Sequence, residues 1–177
     1  RLPWEKHQLE QWFTGRLGQP VSLSHKVPGG FPDDDEVPGP TVISTATIEE
    51  TASWFTKMTT EEIRRRFRSN LEIGGVPAFW EDHLFAEGSG KVSFRIGDTT
   101  IDGVKPCARC TVPQRDSFSG KANCSSFTKI FSERRAETLP AWTDRGCFDH
   151  FYYLSTNSVI PESEAGKVLH VGDFVIL

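Results

Sequence analysis

The chain has 177 residues, with 24 acidic and 20 basic side chains and a formal net charge of −4. This length suits one domain with a substantial core, and the acidic balance argues against a nucleic-acid-binding protein held by a broad basic surface. No apolar run approaches the roughly 20 residues of a membrane span, and four cysteines are too few for a disulfide scaffold. The composition therefore predicts a soluble domain in a reducing compartment, either the cytoplasm or the interior of an organelle.

The N-terminal part of the chain predicts a helix, a possible strand, a loop and a buried strand. The helix is expected over residues 5–14, with Gly15 just beyond its end. Residues 21–24 are a possible strand. The stretch 26–40 is rich in Pro, Gly and acidic residues, which is typical of a loop. Residues 42–45 are apolar and β-branched enough to predict a buried strand.

Two capping-box sequences predict where the next two helices begin. Thr47 is followed three residues later by Glu50, and Thr59 is followed by Glu62. In such a pair the hydroxyl and the carboxylate satisfy backbone N–H groups of the first helical turn. We therefore predict helices over residues 47–57 and 60–67.

The second half of the chain is rich in short β-prone segments separated by Gly, Pro and Asp turns, with one predicted helix at 126–137. Inserted helices, rather than alternating ones, favour a barrel over a doubly wound sheet. We predict a mainly β fold: a β-barrel of mostly antiparallel strands with several peripheral helices, forming a single domain over residues 1–177 in which 1–25 is a lead-in helix and strand. The predicted strands are 71–73, 92–96, 99–104, 110–112, 151–155 and 167–177.

The sequence Lys-Pro-Cys-Ala-Arg-Cys at residues 105–110 is the strongest candidate for chemistry. Fixed positive charge near a thiol favours the thiolate, which is the form that binds soft metals and attacks electrophiles. Other uses stay open at this point, because a C-x-x-C pair also occurs in zinc and redox sites. Zinc would recruit Cys124 and Cys147, whose wide spacing is unlike a usual second zinc pair. A buried, inert cysteine is the remaining alternative for Cys107.

Four arginines stand within residues 64–68, at the predicted end of a helix. The first two are expected on a solvated helix face. Arg68 and Asn70 are placed two apart at a predicted strand start, so their side chains should point the same way. A guanidinium and an amide on one face suit a phosphate or a heterocycle. The alternative is a structural ion pair of Arg68 with Glu81 or Asp82.

In five segments the chain resembles the MOSC domain, named for the C-terminal part of molybdenum cofactor sulfurase, and within it the branch of the amidoxime-reducing component. The segments keep the family's order and run over most of the chain. They are Arg-Phe-Arg-Ser-Asn at 66–70, Ala-Phe-Trp-Glu-Asp at 78–82, the cysteine motif at 105–110, Asp-Ser-Phe-Ser-Gly at 116–120 and Val-Gly-Asp at 171–173.

The resemblance implies a molybdenum ion held by the dithiolene of molybdopterin, with Cys110 as the protein's metal ligand and catalytic residue. It also implies that Arg109 contacts the pterin phosphate region, and that Arg68 and Asn70 line the same pocket. Ala108 belongs to this cofactor-binding set and stands where the family often has a serine, so a hydroxyl donor is lost.

The same resemblance implies an oxidoreductase that reduces N-hydroxylated or N-oxygenated small molecules and takes electrons from a donor protein. One alternative is a cofactor carrier or sulfur-transfer module, in which Cys110 carries a persulfide supplied by a desulfurase. Another is a binding module without cofactor. Relatives in this branch usually carry a small N-terminal β domain, which we expect to be absent from this chain. The chain is then either a fragment or has an incomplete cofactor site.

Overall fold

The computed structural model describes residues 5–24, 34, 36–88, 90–122 and 126–177. It contains two compact units, residues 1–30 and residues 31–177. In the first unit, helix α1 spans Lys6–Leu17 and ends at Gly18, which has a left-handed φ of 66°. Gly15 lies inside the helix rather than beyond it. An internal glycine weakens a helix without stopping it, whereas the left-handed turn at Gly18 does end it.

The possible strand at residues 21–24 does not form. Instead, this segment folds back on α1 through side chains of the helix. The N–H of Val21 donates to Thr14 Oγ1 at 3.1 Å, and the N–H of Leu23 donates to Glu10 Oε1 at 2.8 Å. Side chains therefore satisfy the backbone groups that a strand partner would otherwise have taken.

The second unit is built on a six-stranded, mostly antiparallel sheet that forms a nearly closed barrel with peripheral helices, as the sequence predicts. The strand order is β2-β1-β5-β4-β3-β6, and β1 with β2 is the parallel pair. The strands are β1 Val42–Ser44, β2 Leu71–Ile73, β3 Val92–Ile96, β4 Thr99–Ala108, β5 Tyr153–Val159 and β6 Val175–Ile176.

Helix α2 spans Thr45–Ser53 and helix α3 spans Thr60–Phe67. The predicted start of α3 is confirmed, because Thr59 accepts the N–H of Glu62 at 3.2 Å. The predicted start of α2 at Thr47 is wrong, because Ser44 is the N-cap and accepts the N–H of Thr47 at 3.0 Å. Helix α4, at Phe127–Glu137, begins one residue later than predicted.

Several predicted strands differ from the structure. The strand predicted at 99–104 continues to Ala108, and the one predicted at 42–45 ends at Ser44. The strand at 110–112 does not form, because β4 ends at Ala108 and a 3-10 turn follows at Val112–Gln114. Pro113 lies in that turn, and proline has no N–H to give to a strand ladder. The strand predicted at 151–155 begins two residues later, and the one at 167–177 shrinks to two residues.

The sheet separates two apolar clusters. Alternation along β1 sends Val42 to one side and Ile43 to the other. Val42 packs with β-strand residues and with the 3-10 helix Trp80–Leu84. That helix approaches β4 closely, since a Cβ on Gly103 would lie 2.0 Å from the carbonyl oxygen of Leu84. Ile43 packs under α2, α3 and α4. This second cluster holds Ile43, Ile48, Ala52, Phe55, Ile63, Phe67, Phe79, Phe127, Phe131, Tyr152 and Leu154.

Candidate functional site

Cys110 lies just beyond the end of β4, where the chain leaves the sheet. The last contact with β5 is made by Arg109, whose N–H donates to the carbonyl oxygen of Tyr152 at 3.0 Å. The side chain of Cys110 is exposed to solvent, as is Ala108, whereas Cys107 is half-buried. The thiol of Cys110 is therefore accessible and is fixed to the sheet through its neighbour.

Arg109 ties the end of β4 to the end of α3. Its Nη2 donates to the carbonyl oxygen of Phe67, and its guanidinium lies 5.3 Å from the centre of the Phe67 ring. Nη1 contacts Cys107 Sγ at 3.1 Å, so the guanidinium touches the first cysteine of the pair. Nε is buried without a hydrogen-bond partner. This leaves one buried donor available beside the cysteine motif.

Lys105 does not add its charge to the two thiols, contrary to what the motif suggested. Its Nζ lies 2.7 Å from Asp34 Oδ2 and 3.7 Å from Glu36 Oε2. The hydrogen bond to Asp34 raises the pKa of Lys105. The ammonium is thus neutralised by the acidic loop, and Arg109 is the basic residue of the motif that contacts a thiol.

Arg68 ends α3 and is not part of a strand. It has a left-handed backbone, with φ 55° and ψ 39°, and its N–H donates to the carbonyl oxygen of Arg64. The alternation that we used to align Arg68 with Asn70 therefore does not apply. The side chain of Arg68 is exposed and makes no hydrogen bond or ion pair with any residue that the structure describes. The alternative of an ion pair with Glu81 or Asp82 is wrong.

Asn70 connects the starts of β1 and β2 through Thr41. Its Oδ1 accepts from the N–H and from the hydroxyl of Thr41, both at 2.9 Å. The Asn70 N–H in turn donates to the Thr41 carbonyl oxygen at 3.1 Å. These bonds fix the orientation of the amide and leave its NH2 group without an acceptor in the described part of the chain. Asn70 therefore links the starts of β1 and β2, and its two amide N–H donors have no acceptor among the described residues.

A buried arginine that sequence reasoning missed supports the loop after Cys110. Arg66 Nε donates to Glu62 Oε1 at 2.5 Å, and its Nη1 donates to the carbonyl oxygen of Pro113 at 3.2 Å. Glu62 also accepts from the N–H and hydroxyl of Ser117. Nothing in the sequence distinguishes this arginine from its exposed neighbours on α3, since burial depends on the distant loop.

The predicted turn at 116–120 is confirmed and continues this loop. Asp116 Oδ1 accepts from the N–H of Ser119 at 2.8 Å, and the N–H of Gly120 donates to the Asp116 carbonyl oxygen at 2.9 Å. Gly120 has a φ of 68°, which a glycine adopts without strain. The turn is a rigid neighbour of the cysteine motif.

Tyr152 is a second residue near Cys110 that no sequence pattern indicated. Its hydroxyl is buried beside the Thr128 side chain. Burial raises the pKa of Tyr152 to about 12, the Arg109 guanidinium opposes that rise, and a thiolate at Cys110 adds to it. The phenol is therefore neutral at physiological pH and can act only as a hydrogen-bonding group.

The acidic pair Glu81 and Asp82 lies elsewhere and is buried. Asp82 Oδ2 accepts from Arg135 Nη2 and from the hydroxyl of Thr143, the latter at 2.7 Å. The Arg135 guanidinium lies 4.1 Å from the centre of the Phe79 ring. This buried ion pair joins α4 to the 3-10 helix, so we assign it a structural role.

Glu81 is the most buried carboxyl group of this pair. Its Oε2 accepts from the N–H of Ser44 at 3.2 Å and from the hydroxyl of Thr47 at 3.0 Å. Its Oε1 has no hydrogen-bond partner. Burial raises the pKa of Glu81 to about 7, and the neighbouring charge of Asp82 acts in the same direction.

The described residues offer neither a preformed metal-ligand cluster nor a membrane-spanning helix. They contain no group of three or more His, Cys, Asp and Glu side chains arranged to hold a metal ion. None of their helices has both the length and the apolar character that crossing a bilayer requires.

The domain is a β-barrel with peripheral helices. An exposed cysteine, Cys110, lies at the end of the central strand β4. The family model described as the MOSC domain matches residues 41–175, which is most of the chain. The chain therefore belongs to the MOSC domain family, which is associated with the molybdenum cofactor. No curated protein matches the sequence.

Proposed function

We propose that this domain binds molybdenum–molybdopterin with Cys110 as a metal ligand, and that it reduces N-hydroxylated or N-oxygenated small molecules, as in the amidoxime-reducing branch of the family. The observation that carries the proposal is the exposed thiol of Cys110, held at the end of β4 next to Arg109. A thiolate is a suitable ligand for a soft, heavy metal ion.

Arg68, Asn70 and Arg109 carry donor groups that would suit the anionic part of such a cofactor. Arg68 has an exposed guanidinium without a partner among the described residues, and Arg109 has a buried Nε without one. Guanidinium groups bind phosphate through paired hydrogen bonds. Asn70 adds two free amide donors. Ala108 offers only its backbone, because it lacks the hydroxyl that relatives often have.

When bound, the cofactor would supply the redox chemistry, and the protein would supply orientation and charge. Arg109 would fix the direction of Cys110 through its backbone bond to Tyr152. Arg68 and Arg109 would neutralise the phosphate, and Asn70 would orient the pterin. A small-molecule substrate and an electron-donor protein in a reducing compartment, such as the cytoplasm, complete the proposal.

A carrier or sulfur-transfer function is the second candidate, and the exposure of Cys110 also favours it. A thiol that is open to solvent can receive sulfur from a partner desulfurase as well as bind a metal. In this case Cys110 would carry a persulfide, and the purified domain would contain no molybdenum.

The test is metal and pterin analysis of protein made in a host that synthesises the cofactor. We expect molybdenum and pterin in the wild type, and loss of most of the molybdenum in Cys110→Ser. Cys147→Ser is the matched control, because Cys147 is half-buried beside acidic groups. Cys107→Ser shows whether the other thiol of the pair contributes.

Unchanged molybdenum in Cys110→Ser would refute the ligand assignment. Absence of molybdenum from the wild type, with a one-sulfur mass increase on Cys110, would favour the carrier instead. A turnover assay then tests the oxidoreductase: reduction of an N-hydroxylated amidine by a chemically reduced dye should require molybdenum and should be lost in Cys110→Ser.

A further inference from the structure

A cavity of about 170 Å³ lies between helices α2 and α3 and the face of β1 and β2 that they cover. Cys110, Arg109 and Arg68 are not among its lining residues, but Asn70 is, so the cavity shares this residue with the proposed cofactor site. Its floor comes from β1, α2 and α3, and its rim from α3 and β2. The lining residues are Ile43, Ile48, Ile63, Arg64, Phe67, Ser69, Asn70 and Glu72.

The floor of the cavity is apolar and rigidly packed. Ile43, Ile48, Ile63 and Phe67 are each no more than 2% exposed and belong to the cluster under the helices. Protein cavities of about 150 Å³ with such a lining stay dry and bind benzene-sized molecules. The size and chemistry of the floor therefore suit one aromatic ring or a branched aliphatic group.

The charged groups at the rim are already paired with each other. Arg64 donates to Glu72 through Nε at 2.9 Å and through Nη2 at 2.8 Å, and Thr45 donates its hydroxyl to Glu72 at 2.8 Å. The bond from Arg64 holds the pKa of Glu72 below its usual value. A charged ligand would have to break this two-bond ion pair to gain a partner, so the rim disfavours both anions and cations.

The rim nevertheless has hydrogen-bond donors to spare. Oδ1 of Asn70 accepts two hydrogen bonds from Thr41, both at 2.9 Å, and these bonds fix the orientation of the amide. The NH2 group of Asn70 then has no acceptor among the described residues. A ligand in the cavity gains most if it brings one acceptor atom to this NH2 group.

We infer that this cavity binds a small neutral molecule with an aromatic or branched apolar body and one hydrogen-bond acceptor. The apolar body lies against Phe67, and the acceptor faces Asn70. The inference concerns the protein without bound cofactor, in which the Asn70 NH2 group is not engaged by a pterin. Phe67 also contacts Arg109, whose guanidinium lies 5.3 Å from the centre of the Phe67 ring and donates to the Phe67 carbonyl oxygen.

The experiment uses four probes with the same ring: benzonitrile, benzene, benzoate and benzamidine. Full-length protein with labelled isoleucine methyl groups is titrated and followed by NMR. We expect saturable shifts at Ile43, Ile48 and Ile63, and none at Ile96 or Ile101, which belong to the other cluster. Benzonitrile should bind with a Kd on the order of 1 mM, and the two charged probes at least about tenfold more weakly.

Two variants sharpen the assignment. Asn70→Asp keeps an oxygen for Thr41 but removes both donors, so the preference for benzonitrile over benzene should disappear. Ile48→Phe fills the cavity and should abolish shifts for every probe. The inference is overturned by the absence of saturable shifts at ~10 mM benzonitrile, by equal shifts in both clusters, or by binding of benzamidine or benzoate as tight as that of benzonitrile. Molybdenum content is measured separately, so failure here leaves the proposed function untouched.

Discussion

Two arginine-containing clusters in this domain use similar groups and differ in their access to solvent. Arg135 is 2% exposed, lies between the rings of Phe79 and Phe148, and is paired with Asp82. Next to Cys110, Arg109 donates through Nη2 to the end of α3 and contacts Cys107 through Nη1. Both arginines keep buried donors without a partner among the described residues, Nε and Nη1 of Arg135 and Nε of Arg109. The clusters differ because Cys110 and Arg68 are exposed, whereas the Arg135–Asp82 ion pair is buried.

The comparison teaches that burial, rather than residue type, separates the groups held in structural ion pairs from the groups that we propose for chemistry. The Glu-Asp motif and the Cys-x-x-Cys motif look equally suited to chemistry in the sequence. Glu81 and Asp82 lie inside the domain and are held by helix and strand residues. Cys110 and Arg68 are exposed and are the groups that a ligand can reach.

The largest expected effect is on the closed cluster. Asp82→Ala leaves the Arg135 charge buried without its partner, and breaking a buried pair in this way costs roughly 3–5 kcal/mol of unfolding free energy. Denaturant unfolding, followed by tryptophan fluorescence, measures the loss. Replacing both residues, as in Asp82→Ala with Arg135→Met, should recover part of it because no uncompensated charge remains.

The matched control is the neighbouring ion pair on α4. Arg134 pairs with Glu137 at 3.1 Å, and both side chains are more than half exposed. Glu137→Ala should change the unfolding free energy by less than about 1 kcal/mol. Equal losses in Asp82→Ala and Glu137→Ala would contradict the distinction between the two arginines.

The second-largest expected effect is the contribution of Glu81 to the pH dependence of the unfolding free energy. Its pKa is raised from 4.5 to about 7 in the folded protein by burial, so the folded state keeps a proton that the unfolded state releases. This contribution to stability is fully present below pH 4.5 and is lost as pH rises to about 7, a change on the order of 3 kcal/mol.

Glu81→Gln removes this titration while keeping the shape of the side chain. Unfolding free energies measured from pH 4.5 to pH 7.5 should therefore fall more steeply with rising pH in the wild type than in the variant. Parallel pH profiles for the two proteins would show that Glu81 does not carry the proton.

The smallest effect on stability is expected at Arg68, which is exposed. Arg68→Ala removes an exposed side chain without partners in the described structure, so the unfolding free energy should change by about 0.5 kcal/mol or less. Pterin and molybdenum retention should fall, because a phosphate contact is lost. Arg134→Ala, an exposed arginine on another helix, should retain the cofactor. Loss of soluble expression in Arg68→Ala would instead make Arg68 a structural residue.

Local patterns predicted a large part of the fold. The bounds of β2, β3 and α3 are confirmed, because alternation and a threonine cap are properties of neighbouring residues. The partner of Asp82 could not be predicted, since Arg135 stands 53 residues away on a helix with other arginines. Lys105 could not be separated from the thiols for the same reason: its partner Asp34 lies in a distant loop.

The sheet has two ends, because in the described residues β2 pairs with β1 and β6 pairs with β3, whereas β5 lies between β1 and β4. Local opening begins where backbone bonds are fewest, and amide protons there exchange fastest. We therefore expect the sheet to open locally at the two-residue β6 before it opens at the inner strands. The bond from Arg109 to Tyr152 extends the β4–β5 pairing in the middle of the sheet, so we expect the Arg109 amide proton, next to Cys110, to exchange more slowly than those of β6.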